Sequence, residues 1–113
     1  MEIFKFLEDS SFIKNFEIQE FFNVKESRYF KISIYFIDDS QLHAREYVDS
    51  KERNYAFHWQ DIENNLIMRW DNAPHHQHIK TFPHHIHIGK TIMESEPVNL
   101  EEVVTEIKSK LLD

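Results

Sequence analysis

An antiparallel α+β domain, a meander sheet of about five strands with N- and C-terminal helices packed on one face, is what this sequence predicts. Three observations carry the prediction. Between Phe12 and Asp71 the chain alternates apolar and polar residues with period two, the spacing of strands with one buried face. Short polar groups such as Asp38-Asp39-Ser40 and Glu63-Asn64-Asn65 interrupt that alternation where hairpins would turn. Toward the C-terminus the period changes to a helical one, with Leu100, Val103, Val104, Ile107 and Leu111 on one stripe.

Taken in order, Glu2 to Glu8 carries Ile3, Phe6 and Leu7 at helical spacing, and Asp9-Ser10-Ser11 ends this short helix. From Phe12 to Lys25 a strand is expected, with Phe16, Ile18, Phe22 and Val24 on one side and Glu17, Gln19 and Asn23 on the other. Glu20 and Phe21 break its alternation. Arg28 to Asp38 is the clearest strand, β-branched and aromatic, with Phe30, Ile32, Ile34 and Phe36 inward. In the next, Leu42, Ala44 and Val48 alternate with His43, Arg45, Tyr47 and Asp49. Tyr55, Phe57 and Trp59 then alternate with Ala56, His58 and Gln60. The asparagines of Glu63-Asn64-Asn65 tolerate the positive φ of a tight turn. After it Leu66, Met68 and Trp70 face inward, with Ile67, Arg69 and Asp71 opposite. A histidine-rich loop follows, with a short strand expected near His85–Ile88. Asn99, with Glu102 three residues on, is a capping box for the last helix.

One domain over residues 1–113 is expected, since that length suits one core. Ten phenylalanines, four tyrosines and two tryptophans supply the apolar area to fill it. With Gly89 the only glycine, Gly-rich phosphate loops are excluded. The absence of cysteine excludes disulfides, thiolate metal sites and a cysteine nucleophile. No run of ~18 apolar residues exists, and the N-terminus is acidic rather than basic and apolar, so no membrane partner and a cytoplasmic location are expected. A formal charge of −7 argues against a surface that grips nucleic acid all round. From Asn65 to Ile92, however, three bases face one acid, so a basic, histidine-rich face on an acidic body leaves RNA open as a partner there.

If the helices cover the face bearing Phe30, Leu42, Phe57 and Leu66, alternation sends Arg45, Tyr47, His58, Gln60, Arg69 and Asp71 to the other. Strands ~5 Å apart bring these side chains onto one patch. Six of the eight histidines, His75, His76, His78, His84, His85 and His87, fall just beyond it, punctuated by Pro74 and Pro83. Histidine exchanges protons near neutral pH and is the commonest metal ligand. The residues expected to do chemistry are therefore His58, Arg69, Asp71, His75, His76, His84 and His85, with Arg45, Tyr47, Gln60, Asn72 and His87 holding a substrate.

Four strings give the chain a family likeness: Arg45-Glu46-Tyr47-Val48, Tyr55 to Gln60, Arg69-Trp70-Asp71-Asn72-Ala73-Pro74-His75-His76, and Phe82-Pro83-His84-His85-Ile86-His87. In this order and spacing they resemble the TumE family, small proteins regarded as toxin components of prokaryotic type II toxin–antitoxin modules. The likeness covers roughly Leu42 to the C-terminal helix; the N-terminal third matches only in its pattern of elements. Asn64-Asn65 replaces a glycine often expected in that hairpin. The resemblance implies a cytoplasmic protein neutralised by a cognate antitoxin with a DNA-binding part, and oligomers through the toxin–antitoxin complex. It implies no reaction and no catalytic residue.

Three readings stay open on the residues. The preferred one is a metal-independent endoribonuclease, with His58 or a loop histidine as acid or base and Arg45 and Arg69 on phosphate. The second is a metal-dependent hydrolase using His84 with His87, or His75 with His76 and Asp71. Adjacent histidines on a strand face opposite ways, so no metal ligand and no cofactor is assigned. The third is a toxin that blocks its target without turnover.

Overall fold

The computed structural model describes residues 2–8 and 10–112. Asp9 and the side chains of Glu2 and Ile3, placed above in the first helix and its turn, lie outside the described residues. The chain begins with helix α1 (Glu2–Glu8) and continues into strands β1 (Ile13–Val24), β2 (Ser27–Phe36), β3 (Gln41–Val48), β4 (Arg53–Gln60) and β5 (Leu66–Asp71). After a loop come β6 (His85–Ile88), β7 (Thr91–Glu94) and helix α2 (Leu100–Leu111). All seven strands form one antiparallel sheet in chain order: the five of the expected meander, the short strand expected near His85–Ile88, and one more, β7. The β6–β7 hairpin is short and turns at Gly89, whose φ of +59° is a conformation that glycine adopts without steric cost.

Period-two alternation decides which side each strand buries. Phe30, Ile32, Ile34 and Phe36 of β2, Leu42 and Ala44 of β3, Phe57 and Trp59 of β4, and Met68 and Trp70 of β5 share one core. Leu7 of α1 and Leu100, Val103, Val104 and Ile107 of α2 join that core, so both helices cover the same face. Asn99 caps α2 as expected: its side chain accepts from the Glu102 N–H at 2.8 Å, and Glu102 accepts from the Asn99 N–H at 3.0 Å. The Asn64 turn also has its expected left-handed geometry, with φ of +67°.

Two features correct the simple alternation. In β1 an irregularity between Ile18 and Glu20 inserts a residue, as β-bulges do. Beyond it Phe21, not Phe22, pairs with inward-facing Phe30, while Phe22 stacks on Tyr29 on the other face. The interruption at Glu20-Phe21 is the trace of that bulge. In β3, Glu46 lies in line with the apolar residues and is nearly buried. It accepts from Arg53 Nε at 2.6 Å, while the Arg53 guanidinium also lies 4.2 Å over the Tyr55 ring and donates to the Val98 carbonyl. The pair therefore ties the segment before α2 to the sheet. Among the described residues no helix is long and apolar enough to cross a membrane.

Candidate functional site

On the face away from the helices, strand register lines polar side chains into two neighbouring rows. Ser33, His43, His58, Arg69 and His87 form one row, each paired with the next across β2 to β6. Lys31, Arg45, Ala56, Asp71 and His85 form the other. Directly opposed residues bring their Cβ atoms to ~5 Å, so these side chains meet although they come from five strands. Ala56 is the short member of its row, and the gap above it opens a shallow groove of about 460 Å³. Lys31, His43, Arg45, His58, Arg69 and the bulge residue Gln19 wall that groove.

The two groove imidazoles are held differently. Arg69 Nη1 lies 3.2 Å from His58 Nδ1; a guanidinium only donates, so Nδ1 accepts and the neutral ring carries its proton on Nε2. His43 Nδ1 lies 3.0 Å from the Ser33 hydroxyl. The serine hydroxyl can accept from Nδ1–H or donate to Nδ1; in the first tautomer His43 keeps a lone pair on Nε2. Burial, and then the nearby Lys31 ammonium, hold His43 below the ordinary histidine value. Burial also lowers His58, helped by the Arg69 and His43 charges, while a hydrogen bond donated by the ring to Gln60 opposes them. Both rings therefore favour the neutral form at physiological pH.

At the β5–β6 end lies a second cluster, joined to the groove through Arg69, whose Nε donates to Asp71 Oδ2 at 3.0 Å. Asp71 is almost fully buried. Its Oδ1 accepts from the Ala73 N–H at 3.0 Å and lies 2.9 Å from His85 Nε2. Its Oδ2 lies 3.4 Å from His87 Nε2. Period two puts His85 and His87 on the same face of β6, and their Nε2 atoms are 3.0 Å apart. His76 comes in from the loop, its ring 4.8 Å from that of His85 and 5.6 Å from that of His87. Burial lowers His87, with the Asp71 carboxylate opposing.

The structure thus brings together His58, Arg69, Asp71, His76, His85 and His87, with Arg45 on the groove wall. The other expected site residues lie elsewhere. His75 is exposed on the loop. His84 faces the helix side, stacked on Tyr55 with its Nδ1 2.8 Å from the Tyr55 hydroxyl, because neighbours in sequence point opposite ways at a strand end. Tyr47 donates its hydroxyl to Asp49 at 2.7 Å, a bond that raises the phenol above its ordinary value. Gln60 stays at the edge of the groove, hydrogen-bonded to the His58 ring while its amide nitrogen donates to Asn64 at 2.8 Å. Asn72 uses both ends of its amide on the β4 backbone, accepting from the Tyr55 N–H at 3.0 Å and donating to the Arg53 carbonyl at 2.7 Å. Lys31, Ser33 and His43 were not among the expected site residues. Alternation places His43 beside Arg45, but only the strand register reveals the row.

Fold and site define a small α+β protein with one face cationic and rich in imidazole. The family model described as Toxin TumE matches residues 3–111, and the chain belongs to this family of toxins. The likeness seen in the strings after Leu42 therefore extends through α1 and β1. No curated protein and no solved structure matches the chain.

Proposed function

We propose that this toxin is an endoribonuclease whose groove cleaves RNA by attack of the 2′-hydroxyl on the adjacent phosphate, without a metal at the reacting atoms. The observation that carries this reading is the His43–His58 pair: two imidazoles held toward neutrality, directly opposed across β3 and β4, within a wall of Lys31, Arg45 and Arg69. His43, oriented through Ser33, takes the 2′-hydroxyl proton on Nε2. The 2′-oxygen bonds to phosphorus, and the bond from phosphorus to the 5′-oxygen breaks, leaving a 2′,3′-cyclic phosphate. Arg45, Arg69 and the His58 Nε2–H meet the charge that grows on the phosphorane, and Lys31 returns a proton to the departing 5′-oxygen. The groove is shallow, which suits a single strand laid across the sheet. The toxin acts in the cytoplasm and is held in check by a cognate antitoxin.

Induced expression with and without the antitoxin, followed by mapping of RNA ends, tests this reading. New ends bearing 2′,3′-cyclic phosphate are expected with wild-type protein, and loss of those ends with folded His43→Ala. Arrested growth with intact RNA sinks the reading in favour of a toxin that blocks its target.

A further inference from the structure

We infer that His76, His85 and His87, backed by Asp71, form a binding site for one divalent transition-metal ion, with zinc as the best fit. The inference rests on this cluster alone and holds whatever the groove does. One nitrogen from each ring lies within 4.8 Å of the other two. Imidazole ligands about 2.0–2.1 Å from a tetrahedral ion lie roughly 3.4 Å from one another. The 3.0 Å separation of His85 Nε2 and His87 Nε2 is close to that spacing, and His76, half-buried on its loop, brings a nitrogen within 4.8 Å of both.

The hydrogen bonds determine which atoms face the centre. His85 Nδ1 lies 2.9 Å from the Pro83 carbonyl, which only accepts, so that nitrogen carries a proton. A backbone carbonyl holding the far nitrogen of a ring is the usual support of a metal-bound histidine. It turns the lone pair of His85 Nε2 toward His87 Nε2 and the carboxylate of Asp71, at 3.0 and 2.9 Å. Several electron-rich atoms thus converge in a buried place, and a cation among them relieves their repulsion. Asp71 supplies the balancing charge and the fourth side, held by Arg69 Nε and the Ala73 N–H. Three nitrogens and one carboxylate make a closed set of four, the form of a structural rather than a reacting site. Its ligands come from β5, β6 and the loop between them, so the bound ion would fasten residues 73–84 against the sheet.

The test uses the full chain without a histidine tag, stripped with chelator and dialysed. Zinc is titrated by calorimetry, and Co(II) serves as a visible probe of tetrahedral geometry. One ion per chain is expected, with tetrahedral Co(II) absorption and slower hydrogen exchange across residues 73–84. His76→Ala and His87→Ala, both at half-buried positions, should lose the Co(II) absorption, while His75→Ala and His78→Ala keep it. Asp71→Asn should weaken zinc binding by more than about 10–100-fold, the range for losing a group that only supports a ligand. Circular dichroism of the stripped variants shows whether they fold. If a folded His87→Ala binds zinc as wild type does, or wild type binds none, the site is overturned, and the three rings are joined by shared protons alone.

Discussion

Arg69 and Trp70 are neighbours in the chain and belong to opposite worlds. Trp70 points to the helices and is 1% exposed, packed among Phe57, Met68 and the α2 stripe. Arg69 points away and joins the groove to the histidine cluster, reaching His58 with one nitrogen and Asp71 with another. The comparison teaches how one alternating strand divides its labour: one face holds the protein together, and the other carries charged and imidazole groups paired with one another. Substitutions on the two faces should fail in different ways.

The largest effect is expected on the covered face. Trp70→Ala leaves a cavity beneath α2 and should cost about 3–5 kcal/mol in denaturant unfolding. Any loss of toxicity would then follow the amount of folded protein. A stability loss below ~1 kcal/mol would mean that the helices are not seated on this face as described. Next in size is Arg69→Ala, expected to lower RNA cleavage by about 10²–10³-fold, the range for removing one preorganised donor from a developing anion. Asp71 keeps the Ala73 N–H and the two imidazoles, so the loss of stability should be smaller than for Trp70→Ala. Arg69→Lys keeps the charge but cannot span from His58 to Asp71, and it should rescue little. Full toxicity in a folded Arg69→Ala protein removes this residue from the mechanism.

The covered face was legible because burial repeats every second residue, and Phe30 through Trp70 follow that rule strand by strand. The capping box at Asn99 and the turn at Asn64 were legible for equally local reasons. The bulge in β1 was not, since an inserted residue looks like noise in an alternating pattern. Of the β6–β7 hairpin, β6 was expected near His85–Ile88, but β7 was missed because it is only four residues long, with no apolar stripe to mark it. The open face was half legible. Alternation put Arg45, His58, Arg69 and Asp71 together, but the rows of His43 beside His58 and Arg69 beside His87 depend on register between strands. His76 joins its cluster through a loop, where no period applies. His84 and His85, one word in the sequence, part to opposite faces of the sheet.

The smallest effect concerns pH and again separates the faces. His43, His58 and His84 are all held below the ordinary histidine value of 6.5, first of all by burial. For such groups the folded state binds fewer protons than the unfolded chain, so stability is complete above the unfolded value and is lost as pH falls through about 6.5 toward the lowered folded values. The melting temperature should therefore decline by a few degrees in mildly acidic buffer. Two of these rings, His43 and His58, line the open groove, and bound phosphate should favour their charged forms and flatten the decline. His84 lies on the helix side against Tyr55 and should respond to acid but not to phosphate. A His43→Gln, His58→Gln double variant should thus keep a residual acid sensitivity that phosphate leaves unchanged. If phosphate protects that variant as well as it protects wild type, the anion sits somewhere other than the groove.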